Sequence, residues 1–355
     1  MGLYLIATDE AGYGPKLGPL VIAGSVWSLP RFDAGSQDLT QCFRPLGEPL
    51  LVDGRRIQVD DSKRVFQPRK GLAALECMVG AGVRNCGIES NDFDEVLRHL
   101  APKDHQTLRD IPWLGFSEVD ATNHVTKAST EINDLRFATE SETATQRAES
   151  ISALSRFRQS EPSDAKQEKM LMEHWFSEEL QLVSLGVRAV TAKEFNRLCD
   201  QGYNKSDLLS MLTIELIGDL ASEIPVSKNV AVYCDRHGGR RYYAGVLQNR
   251  FHDGLVRVVS ETKTESLYEI TGDRSMEIRF SVKGDRFAPV AYSSLVAKYL
   301  RERLMERLNR YFQVRTAAPL KATAGYPVDA DRFLVEIQQV LDAEKISHRD
   351  LVRER

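Results

Sequence analysis

Cysteine and histidine are scarce in this sequence, and long apolar runs are missing altogether. Its five cysteines (Cys42, Cys77, Cys86, Cys199 and Cys234) and seven histidines are scattered over 355 residues. No CxxC spacing occurs among the cysteines, which argues against a disulfide framework and against a zinc site and leads us to expect a reducing, cytoplasmic setting. No stretch approaches the roughly 18 apolar residues that span a bilayer, so no membrane partner is expected. A secretory signal is not expected either, because the start lacks a basic segment and Asp9 and Glu10 break its apolar run. Ile6 stands where N-myristoylation requires Ser or Thr. An excess of one charge is also lacking. With 47 basic against 51 acidic residues the net charge is −4, so the average composition does not mark a polyanion binder.

What is present is an ordinary globular composition, 42% hydrophobic and 28% charged, with length for a sizeable core and up to two domains. The charge is unevenly placed. Residues 117–180 hold 13 acidic and 7 basic residues, a local net of −6, whereas 274–321 hold 11 basic and 4 acidic, a net of +7. The basic third has the footprint expected of a surface that meets a polyanion.

The chain is organised around Thr8-Asp9-Glu10-Ala11-Gly12-Tyr13-Gly14-Pro15-Lys16-Leu17-Gly18-Pro19. The preceding Leu3-Tyr4-Leu5-Ile6-Ala7 reads as a buried strand whose end delivers Asp9, and such strand ends are where α/β sheets bind ligands. Glycines at 12, 14 and 18 permit positive φ and close approach, and Pro15 and Pro19 forbid helix. Two readings stay open: a tight turn with solvated acids, or a turn whose N–H groups face a phosphate or hydroxyl. Leu20–Trp27 reads as a second strand, antiparallel to the first.

Further along, a short hairpin is expected around Asp53-Gly54, followed by the polar Asp60-Asp61-Ser62-Lys63-Arg64 and a helix over 68–78. Lys63 or Arg64 is a candidate phosphate contact, against a simple solvated loop. Residues 86–180 change in character. Asn91 is placed to cap a helix carrying Phe93, Val96, Leu97 and Leu100; Ile151, Leu154 and Phe157 are spaced for an amphipathic helix; and 165–180 reads as a helix with Met170, Trp175 and Phe176 inward. This region reads as a helical insertion or subdomain. Regular patterning resumes with a strand over 182–190, a capping box at Thr191 and Glu194, and a helix over 205–221.

Asn229–Asp235 repeats the opening design, an apolar strand ending on an acid. The following Arg236-His237-Gly238-Gly239-Arg240-Arg241-Tyr242-Tyr243 suits phosphate and base contacts, with Arg236 and Arg240 the candidates, although a solvated glycine turn reads equally well. His237 is a candidate proton shuttle, weighed against an ordinary loop histidine. Strands over 255–259 and 276–282 follow, the second running into Lys283-Gly284-Asp285. The helix over 290–312 is the longest, and Lys298, Arg301, Arg303, Arg307 and Arg310 supply much of its charge. Gly325-Tyr326-Pro327 precedes a helix capped by Asp329, and Ser347 onward reads as a polar tail. Asp9, Glu10, Asp235 and Asp285 thus stand at or just beyond apolar strands. Converging carboxylates suit hard, oxygen-seeking Mg²⁺ or Mn²⁺, and two such ions can activate water against a phosphodiester.

Asp9-Glu10-Ala11-Gly12-Tyr13-Gly14-Pro15 resembles the Asp-Glu-Ala-Gly-Arg-Gly-Pro signature of ribonuclease HII, which cleaves RNA within RNA/DNA hybrids. Asp61-Ser62-Lys63, the Val187–Leu220 block, Val232–Asp235, Lys283-Gly284-Asp285 with Ala291–Lys298, and Gly325-Tyr326-Pro327 resemble that family's other elements in order. The resemblance implies an α/β, ribonuclease-H-like mixed sheet flanked by helices, with a C-terminal helical part and a mostly helical insertion. The division it implies is a catalytic core at 1–85 and 181–315, an insertion at 86–180 and a C-terminal helical extension at 316–355. It implies two Mg²⁺ or Mn²⁺ ions on Asp9, Glu10, Asp235 and Asp285, and cleavage at RNA in hybrids or in ribonucleotide-containing duplex, leaving 3′-hydroxyl and 5′-phosphate ends. Gly12, Tyr13 and Gly14 would sense the 2′-hydroxyl, Tyr326 would stack on a sugar, and Ser62, Lys63 and Lys298 match phosphate-side positions. Tyr13 departs from the family's arginine, and Lys16 is a nearby cation in its place. The alternatives are a structure-selective DNA nuclease on this fold, or a catalytically weak nucleic-acid-binding protein that recruits a protein partner through 86–180.

Overall fold

A computed structural model describes residues 2–52, 54–66, 71–115, 156 and 163–354. Its strands are β1 (Leu3–Ala11), β2 (Leu20–Leu29), β3 (Leu50–Val52), β4 (Arg55–Ile57), β5 (Gln181–Val190), β6 (Asn229–Asp235), β7 (Leu255–Glu261), β8 (Glu265–Thr271) and β9 (Met276–Ser281). Seven of them form one sheet in the order β5-β2-β1-β6-β9-β8-β7, and β3 pairs with β4 as the expected hairpin. β1 runs antiparallel to β2 and parallel to β6, and β6 runs parallel to β9. This mixed sheet, with helices on both faces and a helical C-terminal part, is the ribonuclease-H-like architecture expected from the sequence.

Alternation along the strands builds two cores. In β1, Leu5 and Ala7 face one apolar cluster and Ile6 the other; in β2, Val21, Ala23 and Trp27 share the first, and Leu20, Ile22 and Val26 the second. Both faces are covered, so β2 is buried throughout and mostly apolar. The helix Ala288–Gln313 closes the first face. Its Ser293 hydroxyl donates to the Ala7 carbonyl at 2.8 Å, pinning the helix over β1. The helices Ala192–Asp200 and Lys205–Ser222 close the second, and Thr191 caps the former by accepting from Glu194 N–H.

Several local expectations need correction. Asp92, not Asn91, caps Phe93–Leu100, because its carboxylate accepts from Glu95 N–H at 2.7 Å. Tyr326 is the N-cap of Pro327–Glu336, while Asp329 accepts from the Thr323 hydroxyl and Ala324 N–H and so ties down the preceding loop. The helix Ser163–Trp175 buries Trp175 edge-on to Tyr292, 6.1 Å between centroids, but turns Met170 outward. The amphipathic segment around Ile151, Leu154 and Phe157 lies outside the described residues. β8 and the helix Ala244–Arg250 are elements the sequence reading passed over. Part of the charge of the basic third lies inside the protein: Arg301, Arg303 and Arg307 are 2%, 1% and 1% exposed, and each meets a carboxylate, on Glu302, Glu306 and Asp94, whereas Lys283, Arg286 and Lys321 are exposed.

Candidate active site

Parallel pairing places Thr8 of β1 opposite Cys234 of β6, so the next residues, Asp9 and Asp235, lie side by side at the same end of the sheet. Asp235 is in turn opposite Ser281 of β9, whose chain turns back through Lys283 in a left-handed conformation, φ 59°, into a short 3₁₀ helix, Gly284–Arg286, that carries Asp285. A side chain at Gly284 would meet the Asp235 Cα at 2.9 Å, and its bare N–H donates to Asp235 Oδ1 at 2.7 Å. Glycine therefore lets the loop that bears one acid close on the strand that bears another.

The acids perturb one another. Burial raises Asp9 well above the usual carboxylate range, and the charges of Glu10 and Asp235 add to it; a Ser294 hydroxyl bond and the Glu10 N–H oppose. Burial, then Asp235, pushes Glu10 up to about 7. Asp235 is raised by burial and by Asp285, while the Gly284 N–H and the Lys63 ammonium pull it down. These are oxygen donors carrying unfavourable like charge, the donor chemistry that a hard divalent cation relieves. Among the described residues no three His, Cys, Asp or Glu side chains are arranged to hold a metal ion as they stand.

The Glu10 shift has a sign that can be measured. A carboxyl of ordinary value near 4.5 that titrates at about 7 when folded binds its proton more tightly in the native state. Its contribution to stability is complete below about pH 4.5 and is lost as the pH rises through about 7. With metal chelated, melting temperature is expected to fall between about pH 5 and about pH 8, and Glu10→Gln to flatten that fall. Thermal melts across the pH series check this; parallel curves for both proteins would refute it.

The glycine turn stands beside the acids. Gly12 and Gly18 take positive φ, 90° and 80°, and Lys16 and Leu17 both donate their N–H to the Gly325 carbonyl, at 2.7 and 3.2 Å. This brings Tyr326 over Gly14: the tyrosine ring is 3.7 Å from where a Gly14 Cβ would stand, and the residue is 55% exposed. Tyr13 packs its hydroxyl against Gly238, and the Lys205 ammonium sits 4.4 Å above its ring. A cation thus stands beside Tyr13 after all, but from the helix Lys205–Ser222. Lys16 instead pairs with Asp331 at 2.9 Å. Ser62 lies 3.3 Å from Ser294, and Lys298 bonds Glu302 at 2.7 Å.

The arginine loop is committed internally. Arg236 donates to the Lys263 carbonyl at 2.6 Å and to the Ser266 hydroxyl at 3.2 Å, and Arg240 pairs with Asp207. His237 is buried between Tyr243 and Phe280, with Nδ1 3.1 Å from Ser210 Oγ. Burial, reinforced by Arg240, lowers it to about 3, so at neutral pH it is an uncharged core histidine and does not serve as a shuttle. Sequence reasoning missed Ser294, Lys205, Arg301 and Arg353. Ser294 lies inside the Ala291–Lys298 run and bonds Ser62 directly; the others carry no local signal.

No family model and no curated protein matches the sequence. Among solved structures, the chain is similar to the RNase HII of the PCNA:RNase HII complex from Archaeoglobus fulgidus, at 16% identity and TM-score 0.41 over 99% of this chain and 94% of that one. Ribonuclease H2 from Pyrococcus horikoshii OT3 is similar at 14% identity and TM-score 0.36, over 99% and 92%. Bst-RNase HIII in complex with Mn²⁺ is similar at 12% identity and TM-score 0.39, over 99% and 66%. None of these likenesses decides what this chain does; its chemistry rests on its own residues. Among the described residues no helix is long and apolar enough to cross a membrane.

Proposed function

We propose that this protein is a divalent-metal-dependent endonuclease of the ribonuclease H type, hydrolysing RNA phosphodiesters in RNA/DNA hybrids or at ribonucleotides embedded in duplex DNA. The observation that carries the reading is the placing of Asp9 and Asp235 at matched positions on adjacent parallel strands, with Glu10 and Asp285 close by, beside a glycine turn overlain by an exposed tyrosine. Asp9, Glu10, Asp235 and Asp285 would hold two Mg²⁺ or Mn²⁺ ions, which supply activation of the attacking water and charge stabilisation at the leaving oxygen.

The chain's own residues do the rest. Lys63, near enough to Asp235 to lower its carboxyl, attracts the substrate phosphate to the acid cluster. The Gly12-Tyr13-Gly14 main chain offers polar groups to a 2′-hydroxyl, the one group that separates RNA from DNA at a given position. Tyr326 offers its exposed ring to the neighbouring sugar. Glu10 must be ionised to serve as a ligand, and its carboxyl is raised in the metal-free protein, so metal is expected to bind less tightly as the pH falls.

A panel of duplexes tests the reading: one embedded ribonucleotide, a full hybrid, and an all-DNA branched duplex, each with Mn²⁺ or Mg²⁺ and with EDTA. Nicking is expected on the first two, only with metal, and with 3′-hydroxyl ends. Cleavage confined to the branched DNA would replace this reading by the DNA nuclease, and binding without cleavage by the non-catalytic protein.

A further inference from the structure

The glycine turn is braced from inside by a segment more than 330 positions away. The residues from Ser347 onward, expected to be a polar tail, are not one. His348–Leu351 is a short helix, Leu351 and Val352 are buried, and Arg353 is 2% exposed. Val352 bridges antiparallel to Leu17, and Arg353 N–H donates to the Lys16 carbonyl at 2.9 Å. The Arg353 guanidinium then reaches further: its Nη2 donates both to the Gly12 carbonyl, at 2.6 Å, and to the Pro15 carbonyl. One nitrogen therefore spans the two ends of the Gly12–Pro15 turn.

The other side of this segment is anchored to the core. Asn196, 3% exposed on the helix Ala192–Asp200, donates to the carbonyls of Arg349 and Val352 at 2.8 and 2.7 Å and accepts from Glu354 N–H at 3.1 Å. Phe195 of the same helix lies under the Arg353 guanidinium, 5.4 Å from its centroid. A buried guanidinium is costly, more so here with the Arg301 charge nearby and with Arg353 Nε and Nη1 without a hydrogen-bond partner among the described residues. An apolar side chain would fill the same place at lower cost if the segment only needed docking. What an apolar side chain cannot do is hold two carbonyls.

We infer that Arg353 is a positioning residue for the substrate-facing turn, and that Asn196 sets Arg353. With the Gly12 and Pro15 carbonyls drawn inward to Arg353, the peptide groups between them keep one orientation toward the ribose. The consequence for substrate rests on the proposed function; the bracing of the turn does not.

The test uses the full chain with Arg353→Ala, Arg353→Lys and Asn196→Ala, each followed by amide hydrogen exchange, thermal melting and nicking kinetics. In Arg353→Ala, exchange at residues 12–18 is expected to quicken at least tenfold while β1 and β6 amides stay protected. KM for the ribonucleotide duplex should rise about tenfold, with a smaller change in kcat. Arg353→Lys should recover part of both, since an ammonium can hold a carbonyl but lacks the planar fork. Asn196→Ala should move the same amides, and the double variant should fall short of additivity. Unchanged exchange at 12–18 in folded Arg353→Ala would overturn the inference, as would a rise in exchange spread evenly over the sheet. Should Arg353→Ala fail to fold, Arg353→Lys and Asn196→Ala decide by the same amides. Should the wild type nick no duplex, the proposed function fails and the exchange data still decide the bracing.

Discussion

Asp9→Asn is expected to lower nicking by about a thousandfold or more, on the order of 4 kcal/mol in the barrier, while leaving the metal-free protein as stable as the wild type or more so. The two effects have one cause. Asp9 is buried, and its ionised form is opposed by Glu10 and Asp235. Asparagine keeps the shape and can still accept the Glu10 N–H that now bonds Oδ1 at 2.8 Å, but it removes the repelling charge and with it a hard oxygen ligand. Around neutral pH the variant should melt at or above the wild-type temperature when metal is chelated, and should gain less from added Mn²⁺. Melting with and without Mn²⁺, beside the nicking assay, checks both. A variant that nicks at the wild-type rate would remove Asp9 from the reaction, and one that melts well below the wild type would show that the cluster serves structure first.

Gly12→Ala is expected to be strongly destabilising for the addition of a single methyl group. Gly12 has φ 90°, and a Cβ there would stand 2.5 Å from Arg301 Nε and 2.7 Å from the Pro19 carbonyl. Neither neighbour has room to yield. Arg301 is held by the Ala324 carbonyl at 3.0 Å, and Pro19 leads directly into β2. Left-handed strain of about 1–3 kcal/mol and an overpacking cost of similar size should together destabilise by about 3–4 kcal/mol, and displacement of the turn should cost at least tenfold in activity. Gly14→Ala is the control: its Cβ meets only the Tyr326 ring, at 3.7 Å, an ordinary contact. Denaturant melts of the pair, read with the nicking assay, separate the two positions. Equal stability of the two variants would contradict the assigned geometry.

What could be read in the sequence follows from where information is local. An apolar run ending on an acid is a local pattern, and Leu3–Asp9 and Asn229–Asp235 are indeed paired strands that deliver their aspartates together. The turn between β1 and β2 was marked by its glycines for the same reason. β8 is hard to see in the sequence although Glu265–Thr271 alternates buried and half-buried positions, because one of its buried positions is the polar Ser266 and a half-buried one is the apolar Leu267, which blurs the apolar alternation. The arginines of Ala288–Gln313 were misread because composition records a charge but not its partner: Asp94 and Glu306 bring those charges indoors. The roles of Lys205 and Arg353 are tertiary in origin. Nothing near either in sequence tells which ring or carbonyl it will meet, and eight mostly polar residues after Ser347 look the same whether they dangle or dock.

The carboxylates come from strand ends near residues 9, 235 and 285, joined by pairings that cross most of the chain. Loops of that length close late, after the local helices and the β1–β2 hairpin. Until β6 and β9 have taken their places beside β1, the Asp9-Glu10 pair is separated from Asp235 and Asp285. An emerging or misassembled chain therefore does not gather these acids, and the parallel registry that brings them together also times the assembly of the proposed site.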